Sequence, residues 1–453
     1  MKNKSCNKAT KIIKIGYLKN NKEQFISNIV VTDNFLNLLT NFVQVVKISV
    51  NSNNFNFQEL EKLNIDYLLT DIKNFGIKQF IFREKNQINI RFIIILHTVY
   101  RWIIPLMYIM PLIRKDDIII APSEYAKKSF LKISGKFKVH VVPYCLDVMQ
   151  IQKYTESGLI KSAKEITFMG RLAKDKGIEI LIDCIPAIIS KVGNVNLNII
   201  GPLSGDSIKN YPKSPFVISL ESKVRNLGLT NNVFFKGAQF NLDKYKMLSK
   251  SDVFVYPTIE KGEILGMSII EAIACGIPVI TTNLAGPREL VKDGENGYLV
   301  NIDFGKNKKL EIDKQQMVSL IAKVLQDDKL NLKMKRKACK MAREYDFRKI
   351  VPRLIKLLKR KKYIKTQNEN RWRLLRNKKI IDFKDFYKRE ILFFLYISGI
   401  GYKTYSDIHN DEIKNLISPI VKTHPKKNRY IKDMNQDVRQ RLIRELFRYL
   451  CLQ

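Results

Sequence analysis

Two glutamates, Glu263 and Glu271, frame the run Glu-Ile-Leu-Gly-Met-Ser-Ile-Ile-Glu. An apolar stretch, Val253–Tyr256, and Pro257 come before it, and Gly276-Ile277-Pro278 follows. That order predicts a buried strand, a glycine turn at Gly266 and a helix over Met267–Cys275. The start of such a helix offers unpaired backbone N–H groups and the positive end of a dipole. A phosphate fits there, on the amides around Gly266, Met267 and Ser268. Glu263, in the loop, can face a sugar. Glu271, about two turns into the helix, can face a ribose if that side of the helix lines a cleft.

A second run, Phe168-Met169-Gly170-Arg171-Leu172-Ala173-Lys174-Asp175-Lys176-Gly177, predicts a strand that ends at Gly170 and a helix that begins after Gly177. Arg171 and Lys176 then sit on a loop at the strand's C-terminal end. A diphosphate carries two or more negative charges; Arg grips it through paired hydrogen bonds and Lys adds a point charge. No Asp-x-Asp stands at a strand end to hold a divalent metal, so these cations would take up the charge.

The elements that must position these residues alternate along the chain. Short runs rich in Ile and Val predict strands at Lys11–Tyr17, Val43–Val50, Tyr67–Thr70, Phe92–Leu96, Ile118–Ala121 and His140–Val142. A polar stretch, Gln150–Lys164, reads as a linker. Strands resume at Ile166–Met169, Val195–Ile200, Asn232–Phe235, Val253–Tyr256, Pro278–Thr281 and Tyr298–Val300. Helices fit Ile178–Lys191, Glu221–Leu227, Leu242–Ser249, Met267–Cys275 and Pro287–Val291. The fold class is α/β, with two doubly wound Rossmann-like domains facing a cleft. Residues 1–150 form the first domain and 151–346 the second. An amphipathic helix in 347–365 packs back on the body, and 366–453 form a basic, mainly helical extension.

The segments Gly170-Arg171-Leu172 with Lys176-Gly177, Glu263 to Glu271 with Gly276-Ile277-Pro278-Val279-Ile280, and Asp293-Gly294-Glu295-Asn296-Gly297-Tyr298-Leu299-Val300 resemble glycosyltransferase family 4 in order and spacing. The resemblance is strong over about residues 140–305 and weak over 1–140. It implies a GT-B fold, no catalytic metal and no other cofactor. It also implies retaining transfer of a hexose from a nucleoside-diphosphate sugar, which is a substrate, to a glycan or lipid-linked acceptor. On this likeness Arg171 and Lys176 bind the donor diphosphate. Glu263 orients the donor sugar, backbone groups at Gly266, Met267 and Ser268 hold sugar and phosphate, and Glu271 meets the ribose. His97 stands where the family places a cleft histidine that touches the sugar. Asp147 ends Pro143-Tyr144-Cys145-Leu146-Asp147, where the family shows Asn-Gly-Val-Asp, and an interdomain structural role is expected for it. Gly16 is the one glycine near the first strand and the candidate for a donor contact there, where the family carries Gly-Gly.

Composition bounds the alternatives. The 453 residues carry a formal net charge of +37, and a field of that sign attracts nucleotides, nucleic acid or acidic lipids. Enrichment in Lys, Asn and Ile throughout accounts for part of that excess. Residues 329–365 hold 16 Lys or Arg against 2 acids, and 366–453 hold 19 against 10. Basic amphipathic helices suit an anionic membrane surface. A GT-B scaffold whose basic C-terminal region binds membrane or nucleic acid is therefore the alternative function. No helix-turn-helix, zinc-finger or RNA-binding signature supports nucleic acid. The six cysteines form no Cys-x-x-Cys pair, so free thiols are expected rather than zinc or disulfides. No signal peptide is read at the N-terminus. Phe92–Ile113 is apolar but holds His97, Arg101, Pro105 and Pro111; it reads as a strand, a loop and an apolar helix rather than a membrane span. The expected location is the cytoplasm, peripherally on the inner face of the cell membrane.

Overall fold

The structure, a computed structural model, describes residues 13–20, 27–50, 59–71, 79–80, 82–84, 86, 88–97, 112–133, 137–154, 163–204, 213–304 and 310–360. Two compact units are present. The first comprises Met1–Gln79, Asn89–Tyr100 and Arg114–Ile364, and the second Phe80–Ile88, Arg101–Ile113 and Lys365–Gln453. The expected apolar helix after His97 and the expected helical extension from residue 366 lie outside the described residues.

The first unit contains two six-stranded sheets, parallel throughout. In the N-terminal lobe the strands are β1 (Lys14–Asn20), β2 (Gln44–Val50), β3 (Tyr67–Asp71), β4 (Arg91–Ile95), β5 (Ile118–Ala121) and β6 (Val139–Val141), in the order β2-β1-β3-β4-β5-β6. The second lobe has β7 (Lys164–Met169), β8 (Val195–Ile200), β9 (Val233–Gly237), β10 (Val253–Tyr256), β11 (Val279–Thr282) and β12 (Gly297–Val300), in the order β12-β11-β10-β7-β8-β9. Both are doubly wound orders, in which the chain reverses direction across the sheet beside its first strand. A parallel sheet with both faces covered needs strands that are apolar on both sides. Accordingly all four residues of β5, β10 and β11 are buried.

The described helices are α1 (Ser27–Leu39), α2 (Glu59–Lys62), α3 (Glu124–Ile133), α4 (Val148–Lys153), α5 (Ile178–Val192), α6 (Pro215–Asn226), α7 (Asn241–Ser249), α8 (Met267–Ala274), α9 (Lys314–Gln326), α10 (Asp328–Ala342) and α11 (Phe347–Arg360). Three expectations need correction. The stretch Pro287–Val291 forms a short 3-10 turn, Pro287–Leu290. Helix α6 starts earlier than expected, because Ser214 caps it and Pro215 occupies its first turn. The polar linker is partly helical, since Asp147 accepts a hydrogen bond from the Gln150 N–H and opens α4. A small antiparallel hairpin, β13 (Ile302–Phe304) with β14 (Leu310–Ile312), and helices α9 and α10 complete the second lobe. No described helix is long and apolar enough to cross a membrane. The described cysteines Cys145, Cys184, Cys275 and Cys339 are free thiols.

After the second lobe the chain returns to the first. The Leu146 N–H donates to the Tyr345 carbonyl, and the Phe347 N–H to the Leu146 carbonyl, both at 3.0 Å. Arg348 pairs with Asp147 at 2.9 Å, so Asp147 is a structural residue at this crossing. Helix α11 then lies on the N-terminal lobe. Phe347 meets Phe42 edge-on, with ring centroids 6.2 Å apart. The buried Tyr67 hydroxyl donates to the Leu358 carbonyl at 2.8 Å. In the second unit the buried Arg83 pairs with Glu84 at 3.1 Å and donates to the Leu112 carbonyl at 2.8 Å.

Tyr67→Phe removes the bond to Leu358 and keeps the ring. It should lower stability by about 1 kcal/mol, read as a fall in melting temperature. An unchanged melting temperature would show that α11 is held by apolar contacts alone.

Candidate active site

The site grows from the C-terminal ends of β7 and β10, neighbours in the sheet although some 80 residues separate them in the chain. On one side of this pair lie β8 and β9, on the other β11 and β12, the point at which a sheet of this order offers a ligand crevice. After β7 the chain runs through Gly170 and Arg171 into a 3-10 turn, Lys174–Lys176. Gly177, at φ +70°, ends that turn and starts α5. A Cβ on residue 177 would lie 1.8 Å from the Pro257 carbonyl oxygen, so only glycine fits. The Asp175 carbonyl accepts from the Ile259 N–H at 3.0 Å and the Thr258 hydroxyl at 3.1 Å. The two loops are thereby joined backbone to backbone.

This joining brings Lys176 to Glu263. Their ammonium and carboxylate are in direct contact, with 10% and 20% of the side chains exposed. The Tyr256 hydroxyl donates to the same carboxylate oxygen at 3.1 Å. Burial alone would depress the Lys176 ammonium, but Tyr256, Glu263 and Asp175 outweigh it, and its pKa stands above the usual lysine value. Burial likewise pushes Glu263 up, yet Lys176 and the Tyr256 hydrogen bond hold it below the usual carboxylate range. The pair is thus ionised. A buried ion pair adds little net stability over an apolar replacement, and one that sits in a crevice is a functional-site candidate. Arg171 reaches Asp175 at 2.9 Å on the rim of the same loop.

Gly266 opens α8 in a left-handed conformation, φ +94° and ψ 71°. Its carbonyl accepts from the Ile269 and Ile270 N–H groups. No side chain caps this helix start, nor those of α5 and α7, which follow β7 and β9. By contrast, side chains cap α4, α6, α9 and α10 at Asp147, Ser214, Asp313 and Asp327. The uncapped amides of Met267 and Ser268, both half-buried, are groups an anion can use.

Glu271 lies further along α8, 13% exposed, and receives the Lys244 ammonium and the Tyr245 hydroxyl from α7. Burial and Glu271 together push the Tyr245 phenol up. Lys244, Tyr245 and Tyr256 were not singled out from the sequence. Tyr256 reads there as a core strand residue, and nothing in the spacing links α7 to Glu271.

His97 and Gly16 belong to the N-terminal lobe. His97 follows β4, 8% exposed. Its Nε2 lies 3.3 Å from the Thr32 hydroxyl and its Nδ1 meets the Tyr144 hydroxyl. The imidazole stacks on Tyr144, with centroids 5.8 Å apart. Gly16 lies within β1, where a Cβ would meet Ile65 Cδ1 at 2.5 Å, so its small size serves packing there. The structure therefore assembles Arg171, Lys176, Glu263, Gly266, Met267, Ser268 and Glu271 beyond the C-terminal ends of the central strands of the second sheet, with His97 and Gly16 in the other lobe. Among the described residues no cluster of three or more His, Cys, Asp or Glu could hold a metal ion.

Residues 150–341 match the family described as Glycosyl transferases group 1. The chain is 35% identical over 135 residues to the capsular polysaccharide biosynthesis glycosyltransferase CapM of Staphylococcus aureus, covering 30% of this chain and 32% of that one. It is 24% identical over 240 residues to the phosphatidyl-myo-inositol mannosyltransferase of Mycobacterium leprae, covering 52% and 58%. The match thus spans about a third to somewhat over half of these relatives. Among solved structures, a glycosyltransferase from Rickettsia africae superposes with a TM-score of 0.61 at 16% identity, over 77% of this chain and 98% of that one. Anabaena HepE, in complex with UDP and glucose, gives 0.59 at 17% identity, over 77% and 99%. The fold is GT-B.

The ionised Glu263 predicts a pH dependence. Its pKa is lowered from 4.5 in the fold. The pair's contribution is complete above the unfolded value and lost as pH falls through the lower, folded one. Glu263→Gln leaves Lys176 without its counter-charge and should cost about 1–2 kcal/mol at neutral pH, less than a fully buried pair because both groups touch solvent. The gap in melting temperature between the two proteins should shrink as pH drops from about 6 to about 3. A gap that stays constant would show that the pair is not ionised.

Proposed function

We propose that this chain is a retaining, metal-independent hexosyltransferase that moves a hexose from a nucleoside-diphosphate sugar to a glycan or lipid-linked acceptor. The observation that carries the reading is the Lys176–Glu263–Tyr256 cluster, held at the point of strand-order reversal beside the uncapped start of α8. It joins a cation for a leaving phosphate, a carboxylate for sugar hydroxyls and free amides in one crevice. The match of residues 150–341 to Glycosyl transferases group 1 supports the same assignment.

The chemistry follows from charge. Transfer breaks the bond between the sugar's anomeric carbon and the diphosphate oxygen, and negative charge grows on the leaving group. Lys176, Arg171 and the amides of Met267 and Ser268 stand where they can receive that charge. Glu263 exchanges part of its contact with Lys176 for the donor sugar's hydroxyls and orients the ring. Glu271, steadied by Lys244 and Tyr245, takes the ribose hydroxyls. His97 approaches the sugar from the opposite lobe, its ring held by the Thr32 and Tyr144 hydroxyls. Closure of the lobes aligns acceptor with donor and excludes water. The positive excess of residues 329–365 supports an acceptor held at an anionic membrane surface.

Arg171→Ala and Lys176→Ala should each weaken binding of the nucleoside diphosphate by about tenfold, the worth of one charge-assisted hydrogen bond. Calorimetry on variants checked for fold by circular dichroism measures it, and unchanged affinity in both would overturn the donor-site assignment. Turnover should also survive EDTA, because protein cations carry the leaving-group charge. Loss on chelation with recovery on adding Mg²⁺ or Mn²⁺ would overturn the metal-independent reading.

A further inference from the structure

The loop that carries Glu263 is held from two directions. Within its own lobe the Gly286 N–H donates to the Glu263 carbonyl at 2.9 Å. Gly286 also packs so closely that a Cβ there would lie 2.0 Å from the Ile264 carbonyl oxygen. The other restraint comes from the N-terminal lobe, at the turn between β5 and α3. The buried Ser123 hydroxyl donates to the Ile264 carbonyl at 2.5 Å and accepts from the Ala126 N–H at 3.0 Å. The Tyr125 hydroxyl donates to the Lys261 carbonyl at 2.7 Å. Glu289, three residues past Gly286, accepts from the Glu124 N–H at 3.0 Å and also faces the Tyr125 N–H. A carboxylate from the second lobe thus meets the positive end of a helix in the first. These contacts fall on both sides of Glu263, at positions 261 and 264, and on the turn that braces it.

We propose that the Ser123–Tyr125 turn is a positioning element for the transfer step, holding the Glu263 loop so that Glu263 takes its working place only while the two lobes are together. This rests on the reading of Glu263 as the carboxylate that orients the donor sugar. Lys176 and Arg171 lie on the other loop, after β7, whereas the bonds of the turn run to Lys261 and Ile264 on the Glu263 loop. The turn therefore bears on sugar orientation more than on donor capture. The diphosphate binds to the second lobe alone, and the sugar is fixed for attack only on closure. Such an arrangement protects the donor from water until the acceptor lobe has arrived.

The test compares Tyr125→Phe, the double variant Ser123→Ala with Tyr125→Phe, and Glu289→Ala with Glu289→Gln. The Gln side chain keeps an acceptor oxygen and should recover part of what Ala loses. Nucleoside-diphosphate affinity should stay within about twofold of the parent. Turnover of the nucleotide-sugar should fall by about ten- to a hundredfold in the double variant, in kcat more than in KM, as a misplaced catalytic group would give. Hydrogen exchange should quicken at the Gly262 and Glu263 amides, which bond to Glu260. A kcat within twofold of the parent in the double variant overturns the proposal. So does a loss of diphosphate affinity in step with kcat, which would mark these contacts as support for the fold. Tyr125→Phe, which keeps the cap of α3, guards against misfolding of the double variant. If the parent turns over no nucleotide-sugar, the functional reading fails, and hydrogen exchange alone decides the restraint: unchanged protection at Gly262 and Glu263 overturns it.

Discussion

Strand β7 comes first in its sheet along the chain yet stands at the centre in space, with β8 and β9 on one side and β10 on the other. The loops after β7 and β10 must then leave from adjacent strand ends. Here they are pressed into backbone contact, with the Pro257 carbonyl filling the space a side chain at position 177 would need. This contact fixes the height of Lys176 over the sheet, and with it Lys176's reach to Glu263 and Tyr256. The start of α5 and the approach to α8 inherit the same constraint. A larger residue at 177 would separate the loops and divide the site into two unrelated halves.

The site's charges are matched in pairs: Lys176 with Glu263, Arg171 with Asp175, Lys244 with Glu271. A chain with a formal charge of +37 thus keeps its crevice close to neutral. On the proposed reading this matching shapes selectivity. A bare anion must compete with a carboxylate for each cation. A nucleotide-sugar offers phosphate to the cations and hydroxyls to the carboxylates, so both members of a pair find a partner. Discrimination of this kind, in which a poor ligand leaves a buried polar group unpaired, is stronger than discrimination by apolar fit.

The sheets were legible in the sequence because strands covered on both faces must be apolar throughout, and runs as short and β-branched as Val253–Tyr256 or Ile118–Ala121 suit a buried strand better than a helix. The two glycine turns were legible for a related reason, since Gly177 and Gly266 sit between a strand and a helix. What escaped was pairing at a distance. Lys244 and Tyr245 meet Glu271 from a separate helix, and His97 finds Thr32 and Tyr144 at separations of 65 and 47 residues. No local pattern encodes those meetings. Helices α9 and α10 went unassigned although Asp313 and Asp327 cap them; in α10 dense basic residues hid an apolar stripe that includes Met334 and Ala338. Hairpin β13–β14, three residues a strand, is too short to show alternation.

The bond from Tyr67 to Leu358 spans 291 residues. During synthesis the N-terminal sheet is finished long before the helix that covers it exists. At ribosomal rates of 5–20 residues per second, the stretch from Val141 to the end of α11 takes roughly 10–45 s. Throughout it, Phe42 and the face around Tyr67 stand open on a nascent chain whose second lobe is still being made. The last of the described helices therefore closes the first-made lobe, and until it is made the emerging chain carries an uncovered apolar surface.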